Sequence, residues 1–103
     1  MKADVLLILT SLTILSACCD ASKIQENTKK LYSSKTSEIN QALLDLAKCG
    51  DKAEAATRKI SALLYHENVG IQSSAAYALR EIDTPEARKI LDSAQKNREK
   101  NRN

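Results

Sequence analysis

Between Ile39 and Ala94 the apolar residues recur every three or four positions in four successive runs, and this spacing fits the buried stripe of an α-helix and excludes the alternation of a half-buried strand. The first run, from Ser37, is Ile39, Leu43, Leu44, Leu46 and Ala47, and it stops at Cys49-Gly50, where Gly50 suits a left-handed cap. The second is Ala53, Ala56, Ile60, Leu63 and Leu64. It opens on Asp51-Lys52-Ala53-Glu54, which reads as a capping box, and should fray near His66-Glu67-Asn68. The third runs from about Val69 through Ile71, Ala75, Ala78, Leu79 and Ile82, with Gly70 in the turn or the first helical turn. The fourth starts at Thr84-Pro85-Glu86, an N-cap followed by proline at the first helical position, and buries Ala87, Ile90, Leu91 and Ala94. Past Ala94 no apolar residue remains, so Gln95 to Asn103 is expected as a frayed helix end or a disordered tail. The predicted fold class is all-α.

Phe and Trp are absent, and the only aromatics are Tyr32, Tyr65 and Tyr77, so Leu, Ile and Ala must supply a small core of modest stability. The runs also repeat. A shift of 32 residues lays Ile39 on Ile71, Lys48 on Arg80, Asp51 on Asp83, Glu54 on Glu86 and Ala55 on Ala87, while a shift of 31 aligns Ala47 with Ala78, Ala56 with Ala87 and Ile60 with Leu91. That period is one helical hairpin, stacked twice. Within it Ile71, Ala75-Ala76, Ala78-Leu79 and Ile82, then Asp83-Thr84-Pro85-Glu86-Ala87 and Leu91, resemble the short HEAT-like repeats of phycobilin-lyase-type and related adaptor proteins. Gln72 departs from the Arg usual there, and Ile39 to Leu64 match more loosely. The resemblance implies an α-solenoid fragment that binds proteins; it carries no lyase activity, because no bilin-handling residue maps onto the chain.

The first residues read as a targeting segment. Lys2 is a positive start, opposed by Asp4, and Val5 to Leu15 is an apolar stretch broken only by Thr10, Ser11 and Thr13. It is shorter than the roughly 20 apolar residues that cross a bilayer as a helix. The four residues that end it, Leu15-Ser16-Ala17-Cys18, resemble the lipobox of bacterial lipoproteins. The resemblance implies a diacylglycerol on the Cys18 thiol, cleavage before Cys18 and an acylated new amino terminus, hence a multi-chain anchor in the lipid bilayer. An ordinary secretory leader cut near Ala17 is the alternative. In two-membrane bacteria an Asp directly after the lipidated cysteine retains the protein in the inner membrane; here Cys19 stands there and Asp20 follows, which favours the outer membrane, facing the periplasm. The expected organisation is therefore a signal peptide over 1–17, a lipidated start and polar tether over 18–36, a HEAT-like helical domain over 37–95 and a basic tail over 96–103. Ile24, Leu31 and Tyr32, at helical spacing, allow part of the tether to dock on the domain as a short helix.

The formal net charge of +3 survives removal of the leader, which holds one Lys and one Asp, and it is too small and too mixed to predict nucleic-acid binding. Lipidation of Cys18 leaves Cys19 and Cys49 in an oxidising compartment. Their pairing would close a loop of about 30 residues and stabilise the fold by roughly 3 to 4 kcal/mol. Cys49 as a small hydrophobe beside a bystander Cys19, or pairing with another chain, are the alternatives. His66 is the sole histidine, so one chain cannot build a histidine metal cluster; neither a metal nor another cofactor is expected. Asp51 with Glu54 and Asp83 with Glu86 sit where helices need caps rather than as acid–base pairs, and no nucleophile–base set appears, so no enzyme activity is expected.

The expected role is binding, to another envelope protein or, as the competing reading, to a periplasmic or membrane-acting toxin as an immunity lipoprotein. Tyr65 and Tyr77 are candidate contact residues. Leu43 and Leu44 are too, since two hairpins leave the first helix partly uncovered until the tether, a second copy in a homodimer or the partner closes it. Lys96, Arg98, Lys100 and Arg102, opposed by Glu99, are a further basic candidate for acidic surfaces.

Overall fold

A computed structural model describes residues 19–102, and every regular element among them is helical. Helix α1 is Ala21–Lys30, α2 Thr36–Lys48, α3 Thr57–Leu63, α4 Val69–Ile82 and α5 Pro85–Arg102, with a 3-10 segment, Gly50–Ala56, leading into α3. The fold is all-α, as the apolar spacing requires.

Helix α4 is the axis of the domain. Its stripe Ile71, Ala75, Ala78, Leu79 and Ile82 is buried, and α2, the 3-10 segment, α3 and α5 all pack against it. Small side chains allow this close packing: Ala75 and Ala78 share one core with Ala53, Ala56 and Ala87, and Leu43, Leu46 and Ile60 are its large, fully buried members. Asn68 caps α4 by accepting from the Ile71 amide at 3.1 Å, and α4 ends where Asp83 turns left-handed at φ 50°. Thr84 then caps α5, accepting from the Ala87 amide at 3.2 Å, with Pro85 at the first helical position as expected.

Three differences from the sequence expectation have physical causes. Asp51 and Glu54 do not make a capping box; Gly50 takes φ 58° and the chain winds as a 3-10 helix, bent at Ala53 (φ −88°, ψ 16°), before α3 begins at Thr57. With three residues per turn this segment sorts its side chains by threes: Ala53 and Ala56 enter the core, while Asp51 and Glu54 stay exposed. Secondly, α5 continues as helix to Arg102 instead of ending near Ala94. Gln, Lys, Arg and Glu are good helix formers, and Lys96–Asp92 at 3.2 Å and Gln95–Glu99 at 3.4 Å bridge successive turns.

Thirdly, the stretch read as a tether is part of the folded unit. Asp20 caps α1 by accepting from the Lys23 amide at 2.9 Å, and Ile24 and Leu31 are buried in the core while Tyr32 stays outside it. Burial of the two aliphatic side chains contributes on the order of 3–6 kcal/mol. The turn into α2 is closed by Ser33, whose hydroxyl accepts from the Lys35 amide and donates to Glu38, both at 3.1 Å.

One buried polar atom stands apart. Thr57 is buried at the junction of the 3-10 segment and α3, and its Oγ1 has no hydrogen-bond partner among the described residues. Thr57→Val keeps the shape and removes the unsatisfied hydroxyl, so it is expected to raise unfolding stability by about 1–2 kcal/mol. Urea denaturation with an unchanged m-value would show it; a loss of stability would mean that the hydroxyl is satisfied in solution.

Candidate functional site

The lipidation candidate, Cys18, lies outside the described residues, but its neighbour is firmly placed. Cys19 is joined to Cys49 by a disulfide with a Cα–Cα separation of 5.4 Å, in the middle of the range for unstrained bridges. Cys49 is fixed by the end of α2 and by burial, and Cys19 packs against the core beside it. Two residues later α1 begins. The polypeptide therefore runs from the lipidation candidate into the fold with no free linker.

The four partner-binding candidates separate by exposure. Tyr65, just past the end of α3, is 68% exposed, and Tyr77, on the outer face of α4, is 44% exposed. Leu43 is completely buried, which removes it as a contact residue, and Leu44 is half-buried. The reason lies in α1, which packs on α2 and brings Ile24 and Leu31 to the core; part of the cover that an external partner was expected to provide comes from the chain itself. The spacing of Ile24, Leu31 and Tyr32 gives one helical stripe, but spacing alone does not say which face of a neighbouring helix it meets.

Tyr65 borders an open groove of about 520 Å³ between α3 and α5, with Ser61 and Ala62 on one side and Lys89, Ile90 and Ser93 on the other. Its far end carries Glu86, which approaches Arg58 at 3.8 Å; both side chains are exposed, so the pair adds little to stability. The groove has an apolar floor, an aromatic rim and mixed polar edges, the composition of a protein-contact patch.

The groups weighed for chemistry are employed in the scaffold. His66 Nδ1 accepts from the Asn68 amide at 2.9 Å, and the His66 carbonyl accepts from the Gln72 side chain, so the residue shapes the turn between α3 and α4. Asp83 pairs with Arg88 at 3.1 Å. No group of three or more His, Cys, Asp or Glu side chains that could hold a metal ion occurs among the described residues. No described helix is long and apolar enough to cross a membrane.

A second groove, of about 510 Å³, was not apparent from the sequence. It runs between α1 and the 3-10 segment, with Tyr32 at one end, 64% exposed, and Lys29 and Lys52 along its edges. Lys59 lies 4.5 Å above the Tyr32 ring. The signal was present in principle: Ala21, Gln25, Thr28 and Tyr32 fall on one stripe of a helix, but only after α1 is known to be helical do they read as a surface.

Comparison with known proteins returned no matching family profile, no matching curated protein and no matching solved structure.

Proposed function

We propose that this chain is a lipoprotein of the bacterial cell envelope, anchored through Cys18, whose HEAT-like helical module binds another envelope protein. The observation that carries the reading is Leu15-Ser16-Ala17-Cys18 at the end of an apolar run, where a branched apolar residue, two small residues and a cysteine stand in lipobox order. The Cys19–Cys49 disulfide supports it, since such bridges persist in compartments outside the cytoplasm. Cys19 in the place of a retention Asp favours the outer membrane, with the domain in the periplasm.

The repeat reading has its own support. The most extensive helix–helix interface is between α2 and α4, the two elements that the 32-residue shift superimposes, and Ser74 of α4 donates to Asn40 of α2 across it. Side-by-side packing of equivalent helices is how a solenoid stacks its hairpins. In such a module a partner binds an exposed face of the stack, and the exposed Tyr65 beside the groove between α3 and α5 is the feature that supports this choice of surface.

Affinity purification of the lipoprotein from native membranes, followed by mass spectrometry, tests this function. A specific envelope protein should co-purify, and Tyr65→Ala should weaken its recovery by about five- to thirtyfold, the range for truncating an aromatic anchor. No co-purifying protein above an untagged control would refute the binding role. A toxin as the single, equimolar partner would assign the domain to immunity instead.

A further inference from the structure

We propose that the groove between α1 and the 3-10 segment is the face by which the domain rests on its membrane, with Lys29 and Lys52 on the headgroups of anionic phospholipids. This deepens the lipoprotein reading and rests on it.

The first support is reach. An extended chain spans at most about 3.6 Å per residue, so Ala21, which lines the groove, lies within about 11 Å of an acylated Cys18. The headgroup layer on each side of a bilayer is itself about 5–8 Å thick. A flexible tether would make that proximity meaningless. Here the disulfide at Cys19, the Asp20 cap and the burial of Ile24 and Leu31 fix the chain from the residue after the anchor onward, so the α1 end of the domain is held at the headgroups.

The second support is charge. The 3-10 periodicity sends Lys52 and Ala55 to this groove and Asp51 and Glu54 to a different side, so no carboxylate lines it. On α1 the single acidic residue, Glu26, is engaged by Lys23 at 3.3 Å and Lys30 at 3.8 Å on another stripe. Lys29, Lys52 and Lys59 take part in no ion pair with a described residue. Two cations thus line one largely apolar trough, and a third, Lys59, stands over the Tyr32 ring at its end.

The third support is Tyr32. An exposed tyrosine beside lysines, above a floor of Ala21, Ile24 and Ala55, matches the amphipathic rings and snorkelling amines found at membrane–water interfaces. A protein partner would be expected to bring carboxylates to these lysines; a bilayer supplies phosphates at the position that the anchor already dictates.

The test is amine footprinting of the complete mature lipoprotein in phosphatidylcholine vesicles with and without phosphatidylglycerol, each lysine's modification being read by mass spectrometry. Phosphatidylglycerol should lower the reactivity of Lys29 and Lys52 by about fivefold. Lys89 on α5, which has no substantial interface with α1, should be unchanged. The protection should be largely lost near 1 M salt, where the screening length is about 3 Å. Equal protection of Lys29, Lys52 and Lys89, or protection indifferent to phosphatidylglycerol, would overturn the proposal. So would protection that vanishes when the protein is diluted in the membrane, which would assign the groove to a second copy. The intact mass of the same sample separates the two levels: without acyl chains on Cys18 the lipoprotein reading fails, and with them but without protection this docking alone fails.

Discussion

Cys49→Ala is expected to lower the melting temperature of the mature protein by roughly 12 to 30 °C, the largest stability effect of any single substitution considered. The bridge closes a loop of 30 residues, for which loop-entropy arguments give about 3–4 kcal/mol, and each kcal/mol moves a domain of this size by about 4–8 °C. The loop it closes contains all of α1 and α2, so the bridge and the burial of Ile24 and Leu31 hold α1 by two routes of similar magnitude. Helix α1 should therefore stay docked at room temperature in the variant, with little change in far-ultraviolet circular dichroism, and be lost early on heating. Cys19→Ala should match Cys49→Ala, and the double variant should add almost nothing, because the two cysteines act as one unit. Reduction of the wild-type protein should reproduce the shift and so separates the bridge from the small packing loss at position 49. A shift below about 5 °C in all four experiments would show that the bridge contributes little beyond packing.

Much of the fold was legible because the sequence repeats one signal. Ile71, Ala75, Ala78, Leu79 and Ile82 are five residues at one helical spacing, followed by Thr84-Pro85, and both the stripe and the helix start came out as read. Gly50 was legible for a similar reason: a glycine after a helical run is where a left-handed residue is needed.

The misreadings share a cause in weak or degenerate patterns. Ala53 and Ala56, three apart, suit a 3-10 helix as well as an α-helix, and the Asp51-to-Glu54 signature tipped the reading toward the wrong one; packing decided it. Ile24 and Leu31 are two apolar residues in a polar stretch, too few to separate a docked helix from a tether, although Asp20 three residues before Lys23 was a usable capping signal. Leu43 was misjudged in turn, because its exposure depended on where α1 lies. The helix beyond Ala94 is held by local pairs and propensity, which an argument from apolar stripes does not count.

The candidate surfaces were legible to different degrees. Tyr65 and Tyr77 are legible as contact candidates because a tyrosine offers contact area at little entropic cost, and both are exposed. The lysine-edged groove was not readable, since Lys29, Lys52 and Lys59 come from three elements and converge only once the 3-10 segment turns Lys52 toward α1.

The second large effect concerns the anchor, and it is expected to be all-or-none. Two or more acyl chains hold a protein stably in a bilayer, whereas the electrostatic contribution of a few lysines, about 1 kcal/mol each, gives reversible and salt-sensitive contact. Cys18→Ser leaves Lys29, Lys52, the disulfide and the whole helical domain in place but removes the thiol that would carry the diacylglycerol. The most direct measurement is therefore membrane fractionation in high salt, combined with metabolic labelling by a fatty-acid analogue, of wild type and Cys18→Ser side by side. The lipoprotein account predicts a labelled, salt-resistant membrane protein for wild type, and an unlabelled protein for Cys18→Ser that is soluble or retained as an uncleaved precursor. Equal labelling of the two forms, or a wild-type protein without label that high salt releases from the membrane, would contradict it.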